Sequence, residues 1–230
     1  MKASIRIPLL FVAMLLLAGC GDKSATVPFD PSVSRYGEDH RLIQFKDKVQ
    51  SQTIGDESIG DFIFTDINGN ETSLKEYLGK KSVVLVVTRG FAGSVCLYCA
   101  TQTSRLLSNY SQFAKRDAEV VVVFPIETPE DSRRHRDFVV SVKNNLDTPI
   151  EKIPFPIVLD VQLKVVDQLG IRKDLSKPAT YILDRQGQTR FAYVGESLAD
   201  RPSVKALLEQ LDMLKQEAAG DSGTAGGNDP

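Results

Sequence analysis

Apolar and polar positions along the middle of the chain predict strands and helices in alternation. Two runs, 82–88 and 119–124, are almost continuously apolar and rich in β-branched residues, a pattern typical of parallel strands that are covered on both faces. Between them, apolar residues recur with helical spacing from Cys96 to about Ala114. Pro129 suits the first turn of another helix after the second run, which itself ends at Pro125. The order strand, helix, strand, helix predicts an α/β domain.

Shorter patterns extend this order on both sides. Residues 62–66 and the turn at 68–70 predict an N-terminal strand and hairpin extension. Further strands are predicted at 157–160, 180–184 and 190–194, and further helices at 73–78, 162–169 and 202–217. A turn at 185–188 joins the last two strands in a hairpin. We therefore expect a central mixed β-sheet flanked by helices.

The first twenty residues have the pattern of an export signal. Lys2 and Arg6 precede an apolar stretch from 7 to 18, which is too short for a comfortable transmembrane helix. The stretch ends in Leu-Ala-Gly-Cys and resembles the lipobox of bacterial lipoproteins, which implies that Cys20 is lipidated and anchors the chain to a bacterial membrane on its extracytoplasmic, periplasmic side. An ordinary cleaved signal that leaves a spare thiol is the alternative.

The remaining chain divides by composition into three parts. Residues 20–54 are polar and predict a tether, with one short helix near 41–49. Residues 55–216 hold the patterns described above and form the one predicted domain, while 217–230 contain almost nothing that could be buried and predict a disordered tail. With 28 basic and 30 acidic residues, the chain has no strong basic field, which argues against a nucleic-acid partner.

The other two cysteines carry the candidate chemistry. Cys96 and Cys99 form a Cys-x-x-Cys motif after an apolar run and a Gly-containing turn, at the start of a predicted helix. Helix N-terminal amides favour a thiolate, and a second cysteine one turn away can resolve a mixed disulfide. A purely structural disulfide is the alternative. A zinc site is not expected, because His40 and His135 stand at no zinc-like spacing from the pair, and no metal or cofactor is predicted.

These elements in this order resemble the thioredoxin fold. The Lys-Pro-Ala-Thr segment around Pro178 is part of that resemblance. Within this fold, the chain is similar to the AhpC/TSA peroxiredoxin and redoxin superfamily over about residues 55–215, through Phe62 with the Asn-Gly turn, Ser73-Leu74 with Tyr77, the long insertion 127–155 and the segment 155–160. The resemblance implies a thioredoxin-like domain with a redox-active cysteine.

The same residues depart from the peroxidase branch of that superfamily. Peroxiredoxins place Pro-x-x-x-Thr/Ser-x-x before the peroxidatic cysteine, and an arginine ahead of the strand that here begins at Thr180. The residue three positions before Cys99 is Cys96, and the residue three before Cys96 is Gly93. Pro178 stands in the arginine's place. The departures favour a dithiol oxidoreductase on a peroxiredoxin-like frame.

Roles can be assigned to individual residues from this comparison. We expect Cys96 to attack and Cys99 to resolve. Pro178 resembles the cis-proline of the thioredoxin fold, beside which a substrate strand can pair; an ordinary trans proline at a strand start is the alternative. Arg89 is a candidate for support of the thiolate, or a solvated turn residue. Gln102 replaces the glutamate that redoxins often carry three residues after the second cysteine.

Three functions follow as hypotheses. The leading one is a membrane-anchored, extracytoplasmic thiol-disulfide oxidoreductase that acts on protein thiols or disulfides. The second is a thiol peroxidase that reduces small hydroperoxides. The third is a redox-inert lipoprotein that uses the thioredoxin fold only to bind a partner. The direction of electron flow stays open, because potentials of Cys-x-x-Cys couples span a wide range.

Overall fold

The computed structural model describes residues 43–52 and 59–224, with side chains as far as 219. The predicted signal at 1–19, the lipidation site Cys20 and His40 lie outside the described residues. So do most of the predicted tether and the last six residues of the chain.

A seven-stranded mixed sheet forms the centre of the domain and confirms the predicted fold class. The strands along the described chain are β1 (Gln44–Lys46), β2 (Ile63–Thr65), β3 (Glu71–Ser73), β4 (Ser82–Val87), β5 (Ala118–Ile126), β6 (Ile157–Val161), β7 (Arg172–Lys173), β8 (Leu175–Ser176), β9 (Ala179–Leu183), β10 (Thr189–Val194) and β11 (Asp200–Pro202). The large sheet has the order β10-β9-β4-β5-β6-β2-β3. Strands β4, β5 and β6 are parallel, and the outer pairs are antiparallel.

Five helices and three single-turn or short 3-10 segments connect the strands. The helices are α1 (Leu97–Ser108), α2 (Tyr110–Ala114), α3 (His135–Asn144), α4 (Lys164–Gln168) and α5 (Val204–Thr224), and the 3-10 segments are Ile59–Asp61, Leu74–Glu76 and Pro129–Arg134. These counts refer to the described ranges. The helix predicted from Cys96 to Ala114 is thus divided in two at Asn109.

The alternation of side chains along β4 separates two apolar cores, one on each face of the sheet. Val84 and Val86 pack in a cluster with apolar side chains of α1, α3 and α5, which also contains both cysteines. Val83, Leu85 and Val87 pack on the other face with side chains of α4. Successive residues of a strand point to opposite faces, so a continuous apolar run supplies both cores. The prediction that these strands are covered on both faces is confirmed.

Pro125 does not end the fifth strand as the sequence predicted. Strand β5 continues to Ile126 and pairs with β6 through the register Pro125–Asp160 and Ile126–Val161. The Pro125 carbonyl also binds the neighbouring loop, because it accepts the N–H of Phe91 at 3.1 Å.

The N-terminal segment 43–52 belongs to the domain and contains no helix. Residues 44–46 form β1, which pairs in parallel with β11. Further along, the N–H of Gln52 donates to the Ala192 carbonyl at 2.8 Å, and the hydroxyl of Ser51 accepts the Ala192 N–H at 3.1 Å. The helix predicted near 41–49 is wrong over these residues, because backbone pairing with an exposed sheet edge outweighs a weak local helical pattern.

The last helix is longer than predicted. Helix α5 buries Ala206, Leu207 and Leu211 against the sheet and continues to Thr224. The tail predicted to be disordered from 217 is therefore helical as far as 224, since a helix anchored by an apolar face can extend into polar sequence.

Gly90 and Gly93 provide a matched pair for testing the turn between β4 and α1. Both have positive φ, +91° and +77°, but a Cβ on Gly90 would lie 2.2 Å from the Pro125 carbonyl oxygen, whereas a Cβ on Gly93 would meet nothing within 4 Å. We expect Gly93→Ala to lower the free energy of unfolding by about 1 kcal/mol, the backbone cost alone. Gly90→Ala should lower it by about 2–4 kcal/mol, because a backbone clash adds to that cost.

Urea unfolding followed by far-ultraviolet circular dichroism measures both changes. Equal losses for the two variants would show that the close approach of Gly90 to β5 does not constrain the turn.

Candidate active site

The two cysteines form a disulfide at the start of α1. Cys96 has extended backbone geometry and acts as the N-cap of the helix, with its sulfur accepting the N–H of Cys99 at 3.3 Å. The Cα atoms of the two residues are 5.2 Å apart. Because the helix begins directly after Cys96, the positive end of its dipole lies at this residue and favours negative charge there.

Both sulfur-bearing residues are buried, but to different extents. Cys96 is 5% exposed and Cys99 is 0% exposed. The segment before them has a single antiparallel bridge between Phe91 and Val95 and an exposed tip between these two residues, both of which pack against the cluster that contains the cysteines. Cys96 is thus the cysteine nearer to solvent, and its attacking role stays a prediction.

Two further groups converge on the Cys99 sulfur from other parts of the chain. The backbone N–H of Arg89, which follows β4, donates to it at 3.3 Å. The Nη2 of Arg201, on β11, lies 3.6 Å from the same sulfur. Charge that develops on Cys99 therefore meets a backbone dipole and a guanidinium.

Arg201 is the functional candidate that the sequence analysis missed. Its side chain is 1% exposed. Its Nε donates to Oε1 of Gln102 at 2.8 Å, and its Nη1 donates to the carbonyl of Leu198. Burial lowers the pKa of Arg201 to about 10, so the group is still a cation at neutral pH.

No sequence signal pointed to Arg201. It stands between Asp200 and Pro202 in a short polar stretch that resembles a turn. Its partner Gln102 is 99 positions away in the sequence, so only the folded chain brings the two together.

A hydrogen-bonded network holds β11 in place beside the disulfide. The Asp200 carboxylate accepts the hydroxyl of Tyr193 at 2.6 Å and lies 2.9 Å from the Lys46 ammonium. It also accepts the N–H of Glu196 at 3.1 Å. Burial alone would raise the pKa of Asp200, but the bonds from Tyr193 and Lys46 outweigh it and keep that pKa below its usual range. The Asp200 carboxylate thus links β11 to Lys46 on β1 and to Tyr193 on β10.

The side chain of Arg89 does not reach the disulfide. Its guanidinium lies 3.9 Å from the Asp174 carboxylate, and only its backbone N–H contacts the Cys99 sulfur. Arg89 therefore contributes only its backbone amide to the site. The guanidinium beside the sulfur comes from Arg201.

Pro178 lies at the same end of the sheet but does not have the predicted isomer. Strand β9 pairs with β4 through Ala179 and Val87, and the buried Pro178 directly precedes β9. The described residues contain no cis peptide bond, so the Lys177–Pro178 bond is trans and the predicted cis geometry is wrong. Trans is the default isomer, and here the Pro178 carbonyl is fixed by the N–H of Gly195 at 2.8 Å.

Other features of the described ranges bear on metals and membranes. Residues 43–52 and 59–224 contain no group of three or more His, Cys, Asp or Glu side chains suited to a metal ion. Within the same part of the chain, no helix is long and apolar enough to cross a bilayer. The Nδ1 of His135, the first residue of α3, lies 2.7 Å from the carbonyl of Ser132 in the preceding 3-10 segment.

Two curated thiol-disulfide oxidoreductases are similar in sequence to this chain. The chain is 25% identical over 157 residues to the thiol-disulfide oxidoreductase ResA of Halalkalibacterium halodurans, covering 68% of this chain and 75% of the relative. It is 26% identical over 153 residues to ResA of Geobacillus thermodenitrificans, covering 66% and 74%.

Solved structures with a similar fold are peroxiredoxins. Peroxiredoxin 6 of Arenicola marina matches with a TM-score of 0.58 and 19% identity, covering 73% of this chain and 75% of that one. A yeast mitochondrial 1-Cys peroxiredoxin matches with a TM-score of 0.57 and 16% identity, covering 75% and 79%. At these identities the likeness establishes the fold alone, and it confirms the thioredoxin-like architecture.

The sequence model of the AhpC/TSA family matches residues 54–192. That match takes in the strand before the turn, both cysteines of the disulfide and Pro178. Since it spans more than half of the chain, the protein belongs to the AhpC/TSA family.

Proposed function

We propose that this protein is an exported, lipid-anchored thiol-disulfide oxidoreductase that works by opening and closing the Cys96–Cys99 disulfide. It is a thiol-dependent oxidoreductase of the AhpC/TSA family, and both curated relatives described above are named thiol-disulfide oxidoreductases. The observation that carries the proposal is the disulfide itself, formed by a Cys-x-x-Cys pair at the head of α1.

The exchange reaction transfers two electrons from the dithiol to a substrate disulfide, and its steps follow from the positions of the sulfurs. In the reduced form, the Cys96 thiolate attacks one sulfur of a substrate disulfide and expels the other as a thiolate, leaving a mixed disulfide. The Cys99 thiolate then attacks the Cys96 sulfur, forms the bond seen in the structure, and releases the second substrate sulfur as a thiolate that takes a proton from solvent. The reverse sequence oxidises a substrate dithiol.

Protein thiols and disulfides are the proposed substrates. Export by the signal at 1–19 would place the domain in an oxidising compartment, where such pairs persist. Lipidation of Cys20 would keep it at the membrane, and stable anchoring needs more than one acyl chain.

A thiol peroxidase is the second candidate, because the Arg201 guanidinium beside Cys99 is the kind of group that stabilises a peroxidatic thiolate. Against it, no Ser or Thr hydroxyl stands three residues ahead of either cysteine. Stopped-flow mixing of the reduced protein with hydrogen peroxide separates the two functions. Rapid formation of a sulfenic acid would favour the peroxidase.

Replacing each cysteine in turn tests the proposed exchange. We expect Cys96→Ser to abolish catalysed insulin reduction by dithiothreitol, because the attacking sulfur is gone. Cys99→Ser should lower the rate at least tenfold and accumulate mixed disulfides through Cys96, since nothing resolves them. Insulin turbidity gives the rate, and non-reducing electrophoresis gives the mixed disulfide.

Ser94→Ala is the control, because it changes an exposed small side chain in the segment that precedes the pair and should leave the rate unchanged. If Cys96→Ser matched the wild-type protein, disulfide exchange at this site would be excluded and a redox-inert binding lipoprotein would be favoured.

The proposed anchor is tested separately in a cell that exports the full chain. We expect Cys20→Ser to move the protein from the membrane fraction to the soluble extracytoplasmic fraction, because the acyl acceptor is removed. Fractionation followed by immunoblotting measures the change. Equal membrane association of both forms would contradict a lipid anchor while leaving the exchange activity unaffected.

A further inference from the structure

Arg201 is a buried cation whose direct partners are neutral. The hydrogen bonds that the structure gives its guanidinium go to Oε1 of Gln102, to the carbonyl of Leu198 and to the Cys99 sulfur. Burying a cation costs several kcal/mol unless an anion or strong acceptors compensate. Such a cost is repaid when a neighbouring group becomes an anion during the reaction.

The carboxylate next in sequence is already bound by another cation. Asp200 lies 2.9 Å from the Lys46 ammonium and accepts the Tyr193 hydroxyl. It acts on Arg201 through space, as does the phenol of Tyr98 on α1. From the end of β4, the Arg89 side chain lies beside Asp174. Of the charged groups that face Cys99 from α1, β4, β1 and β11, Arg201 is therefore the one in direct contact with its sulfur.

We propose that Arg201, oriented by Gln102, is a catalytic residue that stabilises the thiolate of Cys99. This inference rests on the proposed exchange function. When an incoming substrate thiolate attacks the Cys96 sulfur, the new bond forms there and the Cys96–Cys99 bond breaks. The electron pair leaves on the Cys99 sulfur, at which Arg201 Nη2 already lies 3.6 Å away.

The same contact serves the return step. After Cys96 has formed a mixed disulfide, Cys99 must be a thiolate in order to resolve it. A guanidinium and the Arg89 N–H beside its sulfur stabilise the Cys99 thiolate although this residue is buried. The site thus replaces base catalysis by electrostatic stabilisation.

Gln102 fits this role because its amide is neutral. Its Oε1 accepts the Arg201 Nε at 2.8 Å, so it fixes the guanidinium plane without cancelling the charge. A carboxylate at this position would form a charge-assisted pair with Arg201 and reduce the field at the sulfur.

The pKa of Cys99 gives the direct test. In full-length protein carrying Cys20→Ser and Cys96→Ser, Cys99 is the single thiol, and its ionisation is followed by absorbance at 240 nm against pH. We expect Arg201→Met to raise the pKa of Cys99 by at least one unit, a tenfold change in the ionisation constant. Arg201→Lys should raise it less, and Arg133→Met, which removes an exposed cation, should leave it unchanged.

The rate and position of disulfide opening give the second readout. With both cysteines present, we expect Arg201→Met to slow reduction by dithiothreitol at least tenfold at pH 7. It should also shift the glutathione equilibrium tenfold toward the disulfide, which corresponds to about 30 mV in potential. If Arg201→Met fails to fold, Gln102→Glu decides, because it keeps Arg201 and should change both readouts in the same direction.

The outcomes separate this inference from the function on which it rests. Unchanged pKa and opening rate in Arg201→Met, or in Gln102→Glu where the first variant does not fold, would overturn the role of Arg201 while insulin reduction by the wild-type protein continued. If the wild-type protein did not catalyse insulin reduction, the exchange function would be overturned, even if Arg201 still lowered the pKa of Cys99.

Discussion

The convergence of three chain segments on the Cys99 sulfur is the constraint that organises this domain. The turn after β4 supplies an N–H, the first turn of α1 supplies the sulfur, and β11 supplies a guanidinium. Sulfur is a weak acceptor, so these contacts cannot assemble the site by themselves. Their geometry depends on the packing of β4 between β5 and β9 and on α1 lying over the apolar face that those strands share.

The position of β11 is secured by charges that are separate from the reactive pair. Lys46, Tyr193 and Asp200 form a closed set in which the carboxylate and the ammonium neutralise one another. Arg201, one residue further along, remains a cation facing neutral acceptors. Two adjacent residues therefore have separate roles. Asp200 binds Lys46 on β1 and Tyr193 on β10, and the Arg201 guanidinium lies beside the Cys99 sulfur. A fold that used one ion pair for both purposes would neutralise the charge that the sulfur needs.

Local patterns in the sequence predicted the central sheet and the cysteine-bearing helix well. Continuous β-branched runs such as 82–88 have few alternatives to a buried strand, and the disulfide of Cys96 and Cys99 needs only a short spacing. The predictions that were wrong concern segments whose structure depends on residues far away in the sequence. The strand at 44–46 exists because β11 pairs with it, and Pro125 stays in a strand because β6 lies alongside. The peptide bond before Pro178 is trans, although the sequence around it resembles the cis-proline segment of the thioredoxin fold.

The sequence predicted the two cysteines of the candidate site but not the charged group beside them. Sequence comparison with peroxiredoxins located an arginine ahead of β9, and its replacement by Pro178 implied that this guanidinium was missing from its usual position, which left Arg89 as the candidate to support the thiolate. The structure brings Arg201 to Cys99 from a strand that follows the hairpin instead. A charge at a reactive centre is defined by its position in space, and several places along a chain can supply it.

The hydrogen bonds of Ser51 and Gln52 to β10 also govern how the sheet can meet other chains. Strand β10 is one border of the seven-stranded sheet, and an unpaired border strand is a template for aggregation or strand exchange. Here the backbone of Ala192 and Val194 is occupied by the N-terminal segment at 2.8–3.1 Å. Two copies of the protein that joined their large sheets edge to edge would therefore meet through β3, unless the N-terminal segment first detached from β10.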